Sequence, residues 1–436
     1  MVNVIPVNDI MKMQNRSKSS GANHGDGRSK SRRNKLSILM NADFRRFGTG
    51  YLTSLLGTAM SSVAIAFALL DNGGTPAGLG IVFTANIVPM IAFLLGGGVL
   101  ADRLGRRSVM LAADIARCAA QAVLAAAVAL GYPRLWVFTA AAFAVGAGSA
   151  FFQPALSGLP ADLVPRDHLG DANALLGTAG PIAQIAGPAL AGVLIAVTSP
   201  AAVIAADAVT YAVSATALAL LRLPEISAAA RPPRVRPLSA DLADGWAQFT
   251  ARPWLLVTTL QFALFNLVTW GPYLVLGPVL AKAYLGGARA WGLILACYGC
   301  GAVAGGLLAL GRRPRRPLLV ASLATLGYPL PPLALALALP AAAVAAAAVL
   351  AGLGSAAGGA LSATVMQRKI PAQALSRAGA FNMAGGYAFG PVAFIAAGPL
   401  AGAFGARAVL GFGAGWSVLC TLAVLAFPAV RRLTWD

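Results

Sequence analysis

The chain has 436 residues, of which 58% are hydrophobic and 11% are charged. Soluble domains carry about 25% charged residues, so this chain has too few polar side chains to cover a surface in water, and a soluble enzyme is excluded. The formal net charge of +19 would favour nucleic-acid binding in a soluble protein. The position of the basic residues along this chain supports a different explanation.

Apolar stretches long enough to cross the hydrocarbon core as helices follow one another along most of the sequence. The segment before them, residues 1–42, is polar and basic with no apolar period, which predicts a disordered tail. No short apolar run with a small-residue cleavage site follows it, so we expect no signal peptide. Twelve spans are predicted, at residues 47–70, 78–100, 108–130, 135–158, 173–198, 201–221, 254–280, 290–310, 318–338, 341–364, 378–402 and 406–428.

The spans form two groups of six, which predicts two bundles joined by a central loop. Within that loop, four apolar residues recur at roughly helical spacing and predict a short amphipathic helix on the inner membrane surface: Leu238, Leu242, Trp246 and Phe249. The predicted organisation is a tail (1–42), a first bundle (43–222), the central loop (223–252), a second bundle (253–430) and a short tail (431–436).

The distribution of Lys and Arg predicts the orientation. The predicted outer loops contain only Arg134, Lys282, Arg289 and Arg407, and Arg117 lies within a span. The other basic residues fall on the opposite side, which by the positive-inside rule is the cytoplasm. The even number of spans then places both termini in the cytoplasm.

The two groups of spans repeat each other in sequence. Residues 155–157 (Ala-Leu-Ser) recur at 360–362, and residues 97–101 (Gly-Gly-Val-Leu-Ala) match 305–309 (Gly-Gly-Leu-Leu-Ala), at offsets of 205 to 208 residues. Because each group has an even number of spans, both insert in the same orientation. The predicted fold class is an all-α polytopic membrane protein built from two parallel six-helix repeats.

The loop between spans 2 and 3 combines a glycine pair, an Asp-Arg pair and a Gly-Arg-Arg ending. It resembles the signature loop of the major facilitator superfamily, and the resemblance implies alternating access between two six-helix halves, with this loop as a latch that biases the inward-closed and inward-open states. The latch residues are Gly97, Gly98, Asp102, Arg103, Gly105, Arg106 and Arg107.

Span 5 carries two Gly-Pro pairs and a further glycine. They are similar to the Gly-Pro motif of drug and proton antiporters in the superfamily, which shapes the interface between the halves, although close packing of small residues alone also explains the pattern. The interface residues are Gly180, Pro181, Gly187, Pro188 and Gly192. In span 4, Ala142 stands where the proton-coupled exporters carry an arginine.

Three further segments, residues 151–155, 163–165 and 173–175, resemble the bacterial drug and siderophore exporter branch of the superfamily, of the enterobactin and macrolide efflux type. This resemblance implies the export of a moderately large amphipathic natural product or drug.

Ionisable side chains inside spans are costly and point to function. Asp114 and Arg117 lie three residues apart in span 3, so they can neutralise each other, with a role in gating as the alternative. Asp207 in span 6 has no basic residue one turn away and is the leading candidate for proton coupling, unless Tyr211 or another helix satisfies it. Asp71, at the outer mouth of span 1, is expected in solvent.

Uncharged polar side chains near the predicted midplane could line a substrate path. Their small number predicts a mainly apolar cavity suited to an amphipathic compound, because a sugar would need denser hydrogen bonding. These substrate-path candidates are Asn86, Gln121, Gln184, Gln261, Asn266, Tyr298, Asn382 and Tyr387.

The two histidines, His24 and His168, lie in predicted non-membrane segments, so neither a catalytic triad nor a histidine metal site is expected inside the spans. We therefore expect no enzyme activity, cofactor or metal. The expected protein is a monomeric exporter in the bacterial cytoplasmic membrane. Its expected partners are a small-molecule substrate, protons and lipid, without nucleic acid. Two alternatives remain from sequence: an importer of a small nutrient, and a membrane scaffold or sensor.

Overall fold

Membrane-length helices make up most of the protein. The computed structural model describes residues 41–221 and 238–435, and neither range contains a strand. Twelve helices within them are long and apolar enough to cross a membrane, which confirms the predicted fold class. They are α1 (Ala42–Asp71), α2 (Pro76–Leu104), α3 (Arg106–Ala129), α4 (Leu135–Gly158), α5 (Leu169–Val197), α6 (Pro200–Ala219), α7 (Pro253–Leu285), α8 (Ala288–Ala309), α9 (Pro317–Ala336), α10 (Ala341–Lys369), α11 (Phe381–Phe404) and α12 (Ala406–Ala426).

Capping residues explain where the helices begin. Helix α1 starts earlier than the predicted residue 47 because the Asn41 side-chain oxygen accepts hydrogen bonds from the backbone N–H groups of Asp43 (3.0 Å) and Phe44 (3.2 Å). Proline occupies the first turn of α2, α6, α7 and α9, where its missing N–H leaves no hydrogen bond unmade. Capping residues therefore determine where the helices begin, and a hydropathy profile of the sequence does not locate these first residues.

The helices of the second half are less regular than those of the first. Helix α7 contains two π-helical segments, Asn266–Trp270 and Ala281–Leu285, and α9 contains a 3₁₀ turn at Thr325–Gly327. Helical structure that begins at Ala372 ends at Tyr387 and restarts at Gly390 within α11. The predicted spans of this half are still present, because the length of an apolar helix does not depend on whether some of its turns are π-helical or 3₁₀.

The central connection contains one further helix, Leu238–Thr250. Its Phe249 is buried, and its Trp246 packs edge-on to Phe381 of α11 with ring centroids 5.6 Å apart. These contacts join the helix to the second half. The predicted N-terminal tail up to residue 40, most of the loop before residue 238, and the side chains of Leu238 and Leu242 lie outside the described residues.

The internal repeat is also present in the packing. A Cβ atom added at Gly146 of α4 would lie 1.9 Å from the Asn86 carbonyl oxygen on α2. A Cβ added at Gly352 of α10 would lie 1.9 Å from the Tyr298 carbonyl oxygen on α8. Each glycine lets two helix backbones of its own half come into contact, at equivalent positions in the two halves. The two glycines are 206 residues apart, within the repeat offset of 205 to 208 residues.

The two halves meet along two helix pairs, α2 with α11 and α5 with α8. A Cβ on Gly80 would lie 2.0 Å from the Phe394 carbonyl oxygen, and a Cβ on Gly292 would lie 2.3 Å from that of Pro188. The repeat relates α2 to α8 and α5 to α11, so the two contacts are equivalent. Glycine is required in both because backbone lies against backbone.

The halves are joined at one end and separate at the other. We name these the Asp71 end, which also holds Lys282, and the Arg106 end. A single buried cluster near the Asp71 end includes residues of both halves, among them Phe67, Val137, Leu276 and Trp291. Toward the Arg106 end there are two clusters, one within the first half around Phe47 and one within the second half around Trp254. The structure is therefore closed at the Asp71 end.

We expect Gly80→Ala to destabilise the protein by about 1–3 kcal/mol, the usual range for overpacking a filled interior. The added Cβ would meet the Phe394 backbone, which cannot move as a side chain could. Thermal unfolding of the purified protein in detergent measures the change. Gly402→Ala is the control, because nothing lies within 4 Å of a Cβ built there. Equal unfolding midpoints for the two variants would contradict this packing.

Candidate transport site

A cavity of about 310 Å³ lies between the two halves. The second half contributes apolar side chains to its wall, including Leu274, Trp291 and Phe394. Its hydroxyl and amide groups come from the first half: Thr58, Ser61, Ser62, Asn86 and Gln121. The cavity, which we call the interhalf cavity, is thus mainly apolar and has its few hydrogen-bonding groups on the first-half side, as an amphipathic ligand requires.

Two of the substrate-path candidates, Asn86 and Gln121, line the interhalf cavity. The Asn86 side-chain amide donates a 3.1 Å hydrogen bond to the Ala142 carbonyl oxygen. Gln184 is exposed on α5. Asn266 is buried and donates to backbone carbonyls of α7 and α11, so it fastens a helix contact within the second half.

The remaining substrate-path candidates lie in the second half. Gln261 and Asn382 line a separate cavity of about 210 Å³ inside the second half, which we call the second-half cavity. The Tyr298 hydroxyl donates a 2.9 Å hydrogen bond to Ser355, which also lines that cavity. Tyr387 is partly exposed. The structure therefore divides the predicted substrate path between two cavities.

Asp114 and Arg117 form a buried ion pair on α3, in line with the spacing that brings them together in sequence. The Arg117 guanidinium lies over the ring of Phe152, 4.5 Å from its centroid, and over the ring of Tyr211 at 4.6 Å. Two aromatic faces and one carboxylate therefore surround the cation. Asp114 Oδ2 and Arg117 Nε have no hydrogen-bond partner among the described residues.

Asp207 is completely buried on α6, and its partners are neutral donors. Gln121 Nε2 donates to Asp207 Oδ2 at 2.7 Å and also to Ser61 Oγ at 2.9 Å. Thr210 Oγ1 lies 3.3 Å from Asp207 Oδ1. Because Gln121 and Ser61 line the interhalf cavity, the carboxyl is one hydrogen bond away from any ligand there.

Of the two partners that the sequence left open for Asp207, Tyr211 or another helix, the structure shows the second, through Gln121 of α3. The Tyr211 hydroxyl lies 2.8 Å from Thr58 Oγ1 instead. Helix α1 approaches Asp207 through Gly57, where a Cβ would lie 2.6 Å from Asp207 Oδ1. Sequence reasoning missed Thr58, Ser61 and Thr210, because hydroxyl residues are common in helices and only their three-dimensional placement distinguishes these three.

The latch residues that can be placed hold helices of the first half together. Arg106 forms an ion pair with Asp162 at 2.8 Å and donates to the Gly158 carbonyl oxygen at 2.8 Å. Arg107 Nε donates to the Leu218 carbonyl oxygen at 2.8 Å. The start of α3 is thereby tied to the ends of α4 and α6.

Two of the other latch residues, Arg103 and Gly105, lie at the junction of α2 and α3. Gly105 separates α2 from α3 with a φ of +86°, a conformation that favours glycine, and Arg103 is exposed. The side-chain surroundings of Gly97, Gly98 and Asp102 lie outside the described residues. Asp162, the acidic partner of Arg106, was not predicted, because it lies in a different loop.

The interface motif of α5 is in contact with neighbours along part of its length. A Cβ on Gly187 would lie 2.4 Å from Ala59 Cβ on α1, and one on Gly192 would lie 3.0 Å from the Ala288 carbonyl oxygen on α8. Pro188 presents its carbonyl to α8, as described above. A Cβ on Gly180 would meet nothing within 4 Å, and Pro181 is exposed. Pro188 and Gly192 therefore lie at the contact between the halves, whereas Gly187 packs against α1 of its own half.

One polar contact joins the halves at the Asp71 end. Lys282 Nζ lies 2.7 Å from Asp71 Oδ1 and donates to the Leu70 carbonyl oxygen at 2.7 Å. Asp71 was expected in solvent; its side chain is nearly half exposed but bridges α1 and α7. This contact must break for the Asp71 end to open.

The ionisable groups of the interior are concentrated in the first half. The sequence contains no Asp or Glu from residue 245 to 435, so no carboxylate side chain of the second bundle is available to carry a proton. Within residues 41–221 and 238–435, no grouping of three or more His, Cys, Asp or Glu residues could hold a metal ion. The site consists of one buried carboxyl, one buried ion pair and neutral hydrogen-bonding groups.

Comparison with known proteins agrees with this architecture. Residues 47–394 match the family model of the Major Facilitator Superfamily, and the chain belongs to this superfamily of transporters.

Curated relatives are efflux proteins at low identity. Macrolide efflux protein A of Streptococcus pyogenes is 27% identical over 295 residues, covering 66% of this chain and 71% of its own. The multidrug efflux pump Tap of Mycolicibacterium fortuitum is 27% identical over 377 residues, covering 82% and 88%.

Solved structures share the fold. A crystal structure of the nucleoside transporter NupG matches with a TM-score of 0.68 at 12% identity, covering 88% of this chain and 98% of that one. An inward-facing bacterial homolog of the human lysosomal transporter Spinster matches with a TM-score of 0.60 at 12% identity, covering 89% and 95%.

We expect Arg117→Met alone to destabilise the protein by about 3–5 kcal/mol, because it leaves the Asp114 carboxylate buried without its cation. The double variant Asp114→Asn with Arg117→Met removes both charges and should regain much of that loss. Thermal unfolding of both variants in the same detergent measures the difference. A double variant less stable than Arg117→Met would show that the two charges do not compensate each other.

Proposed function

We propose that this protein exports a small amphipathic organic compound across the bacterial cytoplasmic membrane in exchange for protons. One observation carries the proposal: Gln121 connects the interhalf cavity to the buried carboxyl of Asp207 through a 2.7 Å hydrogen bond. The relatives support export, because they are named for macrolide and multidrug efflux. Membership of the superfamily supports alternating access between the two halves.

The interhalf cavity supports an amphipathic substrate. Apolar parts of the compound would contact the apolar side chains of both halves, and its polar groups would contact the hydroxyl and amide groups of the first half. With a volume of about 310 Å³, the interhalf cavity is at the small end of the range of roughly 300–1,000 Å³ that ligand pockets span. A larger drug would therefore extend from the cavity toward the Arg106 end, where the buried clusters of the two halves are separate.

The basic residues support the orientation. Arg106 and Arg107 lie at the Arg106 end, and most other Lys and Arg residues lie in loops predicted on the same side, which the positive-inside rule assigns to the cytoplasm. In this orientation the closed Asp71 end faces outward. The structure then corresponds to an inward-open state that takes up its substrate from the cytoplasm.

The two ends of the Gln121 amide suggest how substrate and proton are coupled. Its Nε2 donates to Asp207, as the charged carboxylate requires, while its Oε1 has no partner among the described residues. The neutral acid can still accept that N–H through its C=O oxygen, but a hydrogen bond to the charged carboxylate is roughly twice as strong. A substrate that donates a hydrogen bond to Oε1 keeps the N–H group toward Asp207. Substrate binding would therefore favour release of the proton, as antiport demands.

We expect Asp207→Asn to bind the compound but to lose the effect of a proton gradient on transport, because an amide cannot exchange the proton. Uptake of erythromycin, a macrolide, into everted membrane vesicles with and without an imposed gradient measures this. Asp167→Asn is the control, since Asp167 is an exposed aspartate outside the interhalf cavity. Gradient-independent uptake by the wild type would reject antiport, and gradient-dependent uptake by Asp207→Asn would reject the role of Asp207.

We expect the affinity of the wild type for erythromycin to increase with pH, by at most about tenfold per pH unit if one proton is released on binding. The dependence should be absent in Asp207→Asn, which has no proton to release, and weak in Gln121→Leu, which cannot link the ligand to the carboxyl. Equilibrium binding to purified protein in lipid nanodiscs at several pH values measures it. Affinity that falls as pH rises would reverse the sign of the proposed coupling.

A further inference from the structure

The second-half cavity has no part in the proton coupling described above, yet it is rich in hydrogen-bonding groups. Its wall combines hydroxyls and amides, such as those of Gln261, Ser355, Asn382 and Thr421, with the aromatic rings of Trp254, Phe262, Phe265 and Tyr328. None of its lining residues is charged. This is a denser set of neutral polar groups than the sequence predicted for any one place in the protein.

The internal repeat explains why a cavity exists there. In the first half, the rings of Phe152 and Tyr211 fill the space on either side of Arg117. The residues 206 positions later, within the offset of the repeat, are Gly358 and Ser417, and both line the second-half cavity. The second half thus has small residues where the first half has two aromatic rings. The space they leave has a volume of about 210 Å³.

Several polar atoms in this wall have unused hydrogen-bonding capacity. Gln261 Nε2 donates to Thr421 Oγ1 at 3.2 Å, and its carbonyl oxygen has no partner among the described residues. Asn382 Oδ1 accepts a 2.6 Å hydrogen bond from Thr259, and its N–H₂ group has no such partner. The Ser417 hydroxyl is also unpartnered in this part of the chain, although the residue is buried, with a relative exposure of 4%. An acceptor, a donor and a hydroxyl therefore face one space.

The residues that line the second-half cavity indicate which class of ligand it can bind. No carboxylate lies anywhere between residues 245 and 435, and no Lys or Arg lines the cavity, so a charged group would find no counter-ion. Hydroxyl groups, which donate and accept at once, match the free amide oxygen, the free amide N–H₂ and the serine. The flat apolar faces of a saturated ring can pack against the aromatic side chains.

We propose that the second-half cavity binds an uncharged, hydroxyl-bearing ring, such as a sugar, carried by the transported compound. This rests on the proposed function, which it deepens by adding a neutral recognition site beside the proton-coupled one. Trp254 and Leu255 belong to both this cavity and the buried cluster of the Arg106 end. The cavity therefore lies toward the end where the buried clusters of the two halves are separate.

Cys420 lines the second-half cavity and offers a direct readout of occupancy. The other cysteines, Cys118, Cys297 and Cys300, are replaced by serine, and the rate of maleimide labelling at Cys420 is measured in lipid nanodiscs. Three probes with the same chain and different head groups are compared: hexyl glucoside, hexyltrimethylammonium and hexyl sulfate. We expect hexyl glucoside to slow labelling severalfold and the two charged probes to have little effect.

Two variants test whether the cavity wall causes the protection. Asn382→Leu and Gln261→Leu should each abolish protection by hexyl glucoside, while Asn86→Leu, in the interhalf cavity, should retain it. Unchanged labelling rates without a probe and unchanged unfolding midpoints show that the variants are folded. Equal protection by all three probes, or protection that survives both variants, would overturn the proposal. Because labelling does not require transport, protection without any export would defeat only the proposed function, and proton-coupled export without protection would defeat only this site.

Discussion

Asp207 is a buried carboxyl group that forms no ion pair with the described residues, and the packing of the first half accommodates it. Asp207 is inaccessible, and its hydrogen-bond partners are an amide and a hydroxyl. Burying such a group is costly unless it is hydrogen-bonded or neutral. Gly57 makes room for it, and Asp114 neutralises the buried cation of Arg117 one turn away. The interior thus retains a group that can change charge, next to a cavity that opens between the halves.

The two halves have the same helical plan and different chemistry. The first uses its interior for charges and aromatic rings, as the contacts of Arg117 with Phe152 and Tyr211 show. The second has no carboxylate side chain between residues 245 and 435 and contains small residues and neutral polar groups. Duplication alone would make the halves equivalent. Their divergence supports a division in which the first half carries the proton and the second half recognises uncharged groups.

Hydropathy predicts the twelve spans because the length of an apolar helix is a local property of the sequence. The internal repeat is predictable because similar sequence segments recur in the two halves. The pairing of Asp114 with Arg117 is also predictable, because a spacing of three places both on one helix face. The bond from Gln121 to Asp207 joins residues 86 positions apart, so helix packing alone brings them together. The same holds for Arg106 with Asp162 and for Lys282 with Asp71. The division of the polar residues into two cavities depends on the same long-range packing.

Proton-coupled export by this protein requires a change of protonation at Asp207 when the interhalf cavity is filled. Difference infrared spectroscopy of the protein in lipid, with and without erythromycin, observes the C=O stretch of a protonated carboxyl directly. We expect a protonated carboxyl band to disappear on binding in the wild type and no such change in Asp207→Asn. An unchanged carboxyl region in the wild type, or the same difference band in Asp207→Asn, would contradict the coupling.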